Sequence, residues 1–191
     1  KQEDANVVLI ELKQWDELEA VPGRDGLVQT YTGNAVRQVV HPSYQAWSYA
    51  MLISDYNASV QEGMISIFPC AYLHNYRRHE HDPIDAEQYE IYLEDAPAFT
   101  RGEVTKLRNF IKKSIRLGDN KELIYKIDSG RIKPSKSLQD SIAQMLKGNR
   151  EFIMLDEQKV VYEEILDEAR MSAKDENKRV VIVKGGPGTG K

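Results

Sequence analysis

The run "NVVLIELKQW", residues 6–15, constrains this chain more than any other stretch. Residues 7–13 are strand formers entered from the polar, turn-like "EDAN", and they read as a buried-looking β-strand. An acid and a base stand at its end. Glu11 and Lys13 are two residues apart, so on a strand both side chains point to one face. A buried charge is costly unless it is paired. The pair is therefore either a structural ion pair on a half-exposed strand or a functional one.

The rest of the chain alternates strand and helix signals. "VPGRDG", 21–26, is a loop by its Pro and Gly content, and "AVRQVV", 35–40, reads as a short strand. Pro42 suits the first turn of a helix, which the spacing predicts to run from Pro42 to Asp55. "GMISIFPCAYL" predicts a strand over Met64–Phe68, ended by Pro69. "YEIYLED", 89–95, reads as another strand. Thr100 and Glu103 form a capping box before a helix with apolar positions at Val104, Leu107, Phe110 and Ile111, ended by Gly118. "KELIYKI" continues as helix, and "DSGRIKPSKS", 128–137, is the best linker. A short helix, "LQDSIAQMLKG", and a longer one, "LDEQKVVYEEILDEARMSAKD" with Asp156 as its cap, lead to "RVVIVKG", 179–185, a compact β run. The expected class is α/β.

Composition bounds the function classes. The chain has 191 residues, 41% of them hydrophobic and 29% charged, with a net charge of −4. That is no general basic footprint for nucleic acid, although binding needs only a local patch. A single cysteine, Cys70, rules out an internal disulfide framework and points to a reducing, cytoplasmic setting. No apolar run is long enough to span a bilayer, so no membrane partner is expected. There is no signal-peptide pattern or initiator methionine, and the chain stops inside a motif. It is expected to be a fragment of a longer protein.

That motif is "GGPGTGK", which fits G-x-x-x-x-G-K at Gly185, Gly190 and Lys191 behind the apolar "RVVIV". Glycines let backbone N–H groups turn inward around the β- and γ-phosphates of ATP, and the lysine adds a point charge. The residues expected to touch nucleotide are Gly185, Gly186, Pro187, Gly188, Thr189, Gly190 and Lys191. The hydroxyl residue that would follow and help hold Mg²⁺ lies outside the chain, so ATP hydrolysis is not expected of this piece alone.

The acid–lysine pair suits phosphodiester chemistry. A carboxylate such as Glu11 can hold Mg²⁺ or Mn²⁺, and a lysine can position a nucleophile or offset developing charge. On the following helix Gln45 and Tyr49 are four residues apart and share a face, where they could touch a phosphate or a metal-bound water. An amphipathic helix with polar residues at its rim would show the same spacing.

A strand with E-x-K followed by a helix with Q-x-x-x-Y resembles the RecB-like branch of the PD-(D/E)XK nucleases. A wider resemblance covers nearly the whole chain. "VVLIELKQW", "HPSYQAWSYAMLISDYN", "AYLHNY", "IDSGRIKPSKSLQDSI", "LDEQKVVYEEI" and "VVIVKGGPGTGK" look like the N-terminal half of bacterial proteins that join a nuclease domain to a Schlafen-type DNA/RNA helicase ATPase. The resemblance implies a restriction-endonuclease-like domain over 1–127, incomplete at its N-terminus. A linker and helical entry segment over 128–178 and the start of a P-loop domain over 179–191 would follow. It also implies a DNA or RNA substrate and the absent ATPase domain as partner. In the roles it carries over, Glu11 is the metal ligand, Lys13 the base or charge stabiliser, Gln45 and Tyr49 the supporting groups, and Gln158 the adenine reader. One departure stands out. The family's aspartate on the preceding strand has no counterpart among the ten residues before Glu11. The rival expectation is a catalytically inactive nuclease-like module for nucleic-acid binding or assembly, attached to a nucleotide-dependent switch.

Secondary clusters are weaker. Arg77 and Arg78 lie beside Tyr72 and Tyr76, a mix that can hold a backbone and stack a base. Lys106, Arg108, Lys112, Lys113 and Arg116 give one helix a basic side.

Overall fold

The structure, a computed structural model, describes residues 5–63, 65–133 and 153–186. Its centre is a three-stranded parallel sheet in the order β1 (Asn6–Lys13), β5 (Ser66–Leu73), β6 (Ala98–Thr100). Val8 and Ile10 pack with Cys70, Phe99 and Leu107 beneath helix α4 (Val104–Ser114). The alternation of a strand sends Glu11 and Lys13 to the opposite face. There helix α1 (Pro42–Tyr56) lies across β1 and β5. The β1–β5 register pairs Glu11 with Ala71 and Lys13 with Leu73, so the charged end of β1 borders the core around Ala71, Leu73, Trp15 and Tyr76.

Between β1 and α1 sits a small antiparallel sheet, β2 (Glu19–Ala20), β3 (Leu27–Thr32) and β4 (Ala35–Val40). Gly33 and Asn34 both have positive φ, 57° and 62°, which closes β3 onto β4 by a two-residue turn matched to strand twist. Helix α2 (Ala58–Gly63) follows α1, α3 (Glu90–Asp95) precedes β6, and α5 (Glu122–Asp128) follows α4.

Several expectations change. The strand read as 64–68 is β5, and it runs through Pro69 to Leu73. The Ala71 N–H bonds toward the β6 side, at Pro97 O, whereas the Ser66 N–H bonds toward β1, at Ala5 O. By alternation the missing N–H of Pro69 falls on the β6 side, and β6 pairs only from Ala71 onward. No ladder bond is lost. Residues 89–95, read as a strand, form a 3₁₀ turn and α3. Tyr89 and Tyr92 are buried while Ile91 is exposed, a spacing of three rather than two. Helix α4 ends at Ser114, before Gly118, where Ile115 turns extended. Residues 179–185, read as a strand, have no ladder partner among the described residues, and Val180 is 86% exposed. Strands exist only by pairing, and this run has nothing described to pair with. The expected helix at 138–148 lies outside the described residues.

The start of the expected linker is tied to the α1–α2 junction. Ala58 N–H bonds Arg131 O at 2.9 Å, and Lys133 N–H bonds Tyr56 O at 2.7 Å. Helix α6 (Glu157–Asp175) lies against β4. It is pinned by Lys159, whose ammonium sits 2.9 Å from both Asp25 and Glu163, and by Arg24 at 2.6 Å from Asp167.

Candidate functional site

The strand end and the first turns of α1 build one polar cluster. Lys13 Nζ lies 2.8 Å from Glu11 Oε1 and donates to Gln45 Oε1 at 2.6 Å, with the Trp15 ring centroid 5.0 Å away. Gln45 is almost buried, and its amide is oriented by its partners. The oxygen faces Lys13, while Nε2 lies 3.0 Å from the Tyr49 hydroxyl and 2.7 Å from Asp156 Oδ1. The Tyr49 hydroxyl donates to Asp156 Oδ2 at 2.6 Å. The cluster thus runs unbroken from Glu11 through Lys13 and Gln45 to Tyr49 and Asp156.

Local sequence explains why α1 sits where it does. Its cap is His41, buried and stacked on Tyr89 with ring centroids 4.3 Å apart. Nδ1 accepts from Ser43 N–H at 3.1 Å, so the ring proton sits on Nε2 and is donated to Ile84 O at 3.0 Å. Burial holds His41 neutral and pushes its pKa down to about 4, against the opposing pull of that carbonyl. Pro42 fills the first turn, and the small buried Ser43, Ala46, Ser48 and Ala50 let the helix approach the sheet. Gln45 is thereby delivered within hydrogen-bond reach of Lys13.

Electrostatics at the site are mixed. Burial and the hydrogen bond to Asp156 raise the Tyr49 pKa, with smaller contributions from the charges of Asp156 and Glu11. Tyr49 therefore stays a neutral donor. Among the described residues no group of three or more His, Cys, Asp or Glu side chains could hold a metal ion. The carboxylate at the expected metal position is that of Glu11, paired with Lys13; a Mg²⁺ there would take its remaining ligands from water and substrate phosphates, not from a cage made wholly of protein.

All four residues expected at the nuclease site are brought together. Gln158 lies elsewhere, exposed on α6, where its side-chain oxygen accepts from Leu155 N–H at 3.2 Å. Gly185 and Gly186 lie in an exposed run without regular secondary structure, and Pro187 to Lys191 fall outside the described residues. Tyr76 is buried and donates to Asp82 at 2.7 Å, and Arg78 donates to Ala98 O at 2.7 Å. Tyr76 thus braces the loop, Arg78 ties it to β6 and to Asp85 and Glu103, and of the two arginines Arg77 alone is exposed. Burial pushes the Cys70 thiol up to about 12, which leaves no thiolate for nucleophilic chemistry.

Asp156 is the residue that sequence reading assigned elsewhere. It was expected to cap α6, but its side chain makes no cap bond and reaches α1 instead. Its distance along the chain from Gln45 leaves no periodic signal to find it by.

No family model matches the chain, and it matches no curated protein and no solved structure. Among the described residues no helix is long and apolar enough to cross a membrane.

Proposed function

We propose that the strand-end cluster is the site of a metal-dependent DNA or RNA phosphodiesterase, carried in the complete protein beside an ATP-driven motor. The observation behind it is the contact from Glu11 through Lys13 and Gln45 to Tyr49 on one face of a parallel sheet. Glu11 would hold Mg²⁺ or Mn²⁺, which when bound activates water and steadies phosphate charge. Lys13 places its ammonium where negative charge builds on the phosphate. Gln45 fixes that ammonium through its oxygen, and its Nε2–H and the Tyr49 hydroxyl, which here donate to the two Asp156 oxygens, are the two donors that would serve a phosphate's non-bridging oxygens. The glycine run from Gly185 to Lys191 would bind ATP in the complete chain, with Gln158 toward the adenine.

One observation favours the rival, a nuclease-like binding or assembly module: Glu11 is already ion-paired with Lys13. The test is the double change Glu11→Leu with Lys13→Met in the complete protein. Cleavage of single- and double-stranded DNA and RNA is followed with Mg²⁺, with EDTA, and with and without ATP. Loss of about a thousandfold in a folded variant is expected. Full cleavage by that variant would remove the pair from the chemistry, and binding without any metal-dependent cleavage by the wild type would favour the module.

A further inference from the structure

The Asp156 carboxylate shares its shape with the substrate that the proposed site would take. A phosphodiester carries one negative charge and two non-bridging oxygens; a carboxylate carries one charge and two oxygens. Both Asp156 oxygens are engaged, one by Gln45 Nε2 at 2.7 Å and the other by the Tyr49 hydroxyl at 2.6 Å. Hydrogen bonds to an ionised acceptor are the strong kind. Lys13 on the far side of the Gln45 amide polarises the same N–H groups.

The contact displaces other interactions. Aspartate is a favoured helix cap, yet Asp156 does not cap α6 with its side chain. Its backbone sits at φ 43°, ψ −116°, a conformation unfavourable for an L-residue by roughly 1–3 kcal/mol. The turn is held there from both sides. The Tyr44 hydroxyl donates to Met154 O at 2.7 Å, and Lys159 anchors the first turn of α6 to Asp25 and Glu163.

We infer that Asp156 is an internal competitor for phosphate: its carboxylate closes the strand-end site in the free protein and gives way when a nucleic-acid phosphodiester takes the same two donors. This rests on reading that site as one for phosphodiesters. It makes the turn before α6 a gate on the site.

The test uses the 191-residue chain. Asp156→Gly removes the carboxylate and suits the positive φ, so the fold should tolerate it. Asp156→Asn keeps the side chain's size as a second variant. Binding of a fluorescein-labelled single-stranded DNA dodecamer is measured by anisotropy in EDTA, where no cleavage occurs. The glycine variant should bind about tenfold more tightly than the wild type, and the asparagine variant a few-fold more tightly. Adding the dodecamer to the wild type should speed amide hydrogen exchange at Leu155 and Lys159. Unchanged affinity in both variants overturns the gate, as does weaker affinity, which would make Asp156 part of the binding or metal-holding machinery. Absence of binding by any variant overturns it too. The fate of the underlying reading is read separately: cleavage by the complete protein that depends on Glu11 and Lys13 keeps it standing even if the gate fails.

Discussion

Two lysines organise this molecule, and they are built differently. Lys159 is 3% exposed and closed on all sides, with carboxylates of Asp25 and Glu163 each at 2.9 Å and the Tyr44 and Tyr162 rings at 5.4 and 5.7 Å. Lys13 is 16% exposed, with one carboxylate, one amide oxygen and one indole face around it. At Lys159 the network runs on only into core packing, where Asp25 also accepts from the Tyr92 hydroxyl. At Lys13 the amide passes it on to Gln45 N–H groups and a tyrosine hydroxyl aimed at an anion. A closed cluster holds a helix against a sheet, whereas one that continues through oriented donors can bind something.

The widest separation between the two should appear in stability. Lys159→Ala leaves the buried Glu163 carboxylate without its partner, an expected loss of about 3–5 kcal/mol. Thermal unfolding should register it as a fall on the order of 10 °C. Lys13→Ala should cost less, about 1–3 kcal/mol, since Glu11 keeps 17% of its side chain exposed while the Gln45 oxygen loses its donor. Equal losses for the two variants would erase the distinction.

A smaller effect bears on the cap that positions Gln45. The His41 pKa is about 4 in the folded chain, below its ordinary value of 6.5. Above pH 6.5 both folded and unfolded states carry a neutral ring, and its contribution to stability is intact. As pH falls toward 4 the unfolded state takes up the proton and the folded state does not, so stability is lost across that window. The shift corresponds to about 3 kcal/mol. Denaturant unfolding from pH 7 to 4 should show it, and His41→Asn, which keeps a capping oxygen, should flatten that part of the profile. A profile unchanged by the substitution would assign the acid sensitivity to other groups.

The smallest expected change sharpens the comparison from the side of Lys13. The double change Glu11→Leu with Lys13→Met should alter unfolding free energy by no more than about 1 kcal/mol, because replacing a largely buried ion pair by apolar groups of similar volume is often near neutral. A loss as large as that of Lys159→Ala would make the strand-end pair structural in the same sense.

How much of this was legible varies by element, for physical reasons. β1, β4 and α1 followed from local pattern, since period-two and period-3.6 spacing depends only on neighbouring residues. The meeting of Glu11, Lys13, Gln45 and Tyr49 followed from the same spacings once strand and helix were adjacent. β3 was missed because the Gly33-Asn34 turn was not recognised as a hairpin signal. The 89–95 segment was misread because a run of aromatic and β-branched residues outweighed the spacing of three between Tyr89 and Tyr92.

By itself the sequence determined which faces were apolar, where α1 begins, and that an acid and a base would share one side of a strand end, because these are properties of a few consecutive residues. Tertiary structure alone decided that β5 could run through Pro69, since this depends on where β6 stops pairing. It likewise decided that residues 179–185 lack a ladder among the described residues, since a strand requires a second chain segment beside it. Above all it decided the partner of Gln45 and Tyr49. Asp156 is far from both along the chain, and only the packing of α6 against β4, locked by Lys159, brings its carboxylate to the donors on α1.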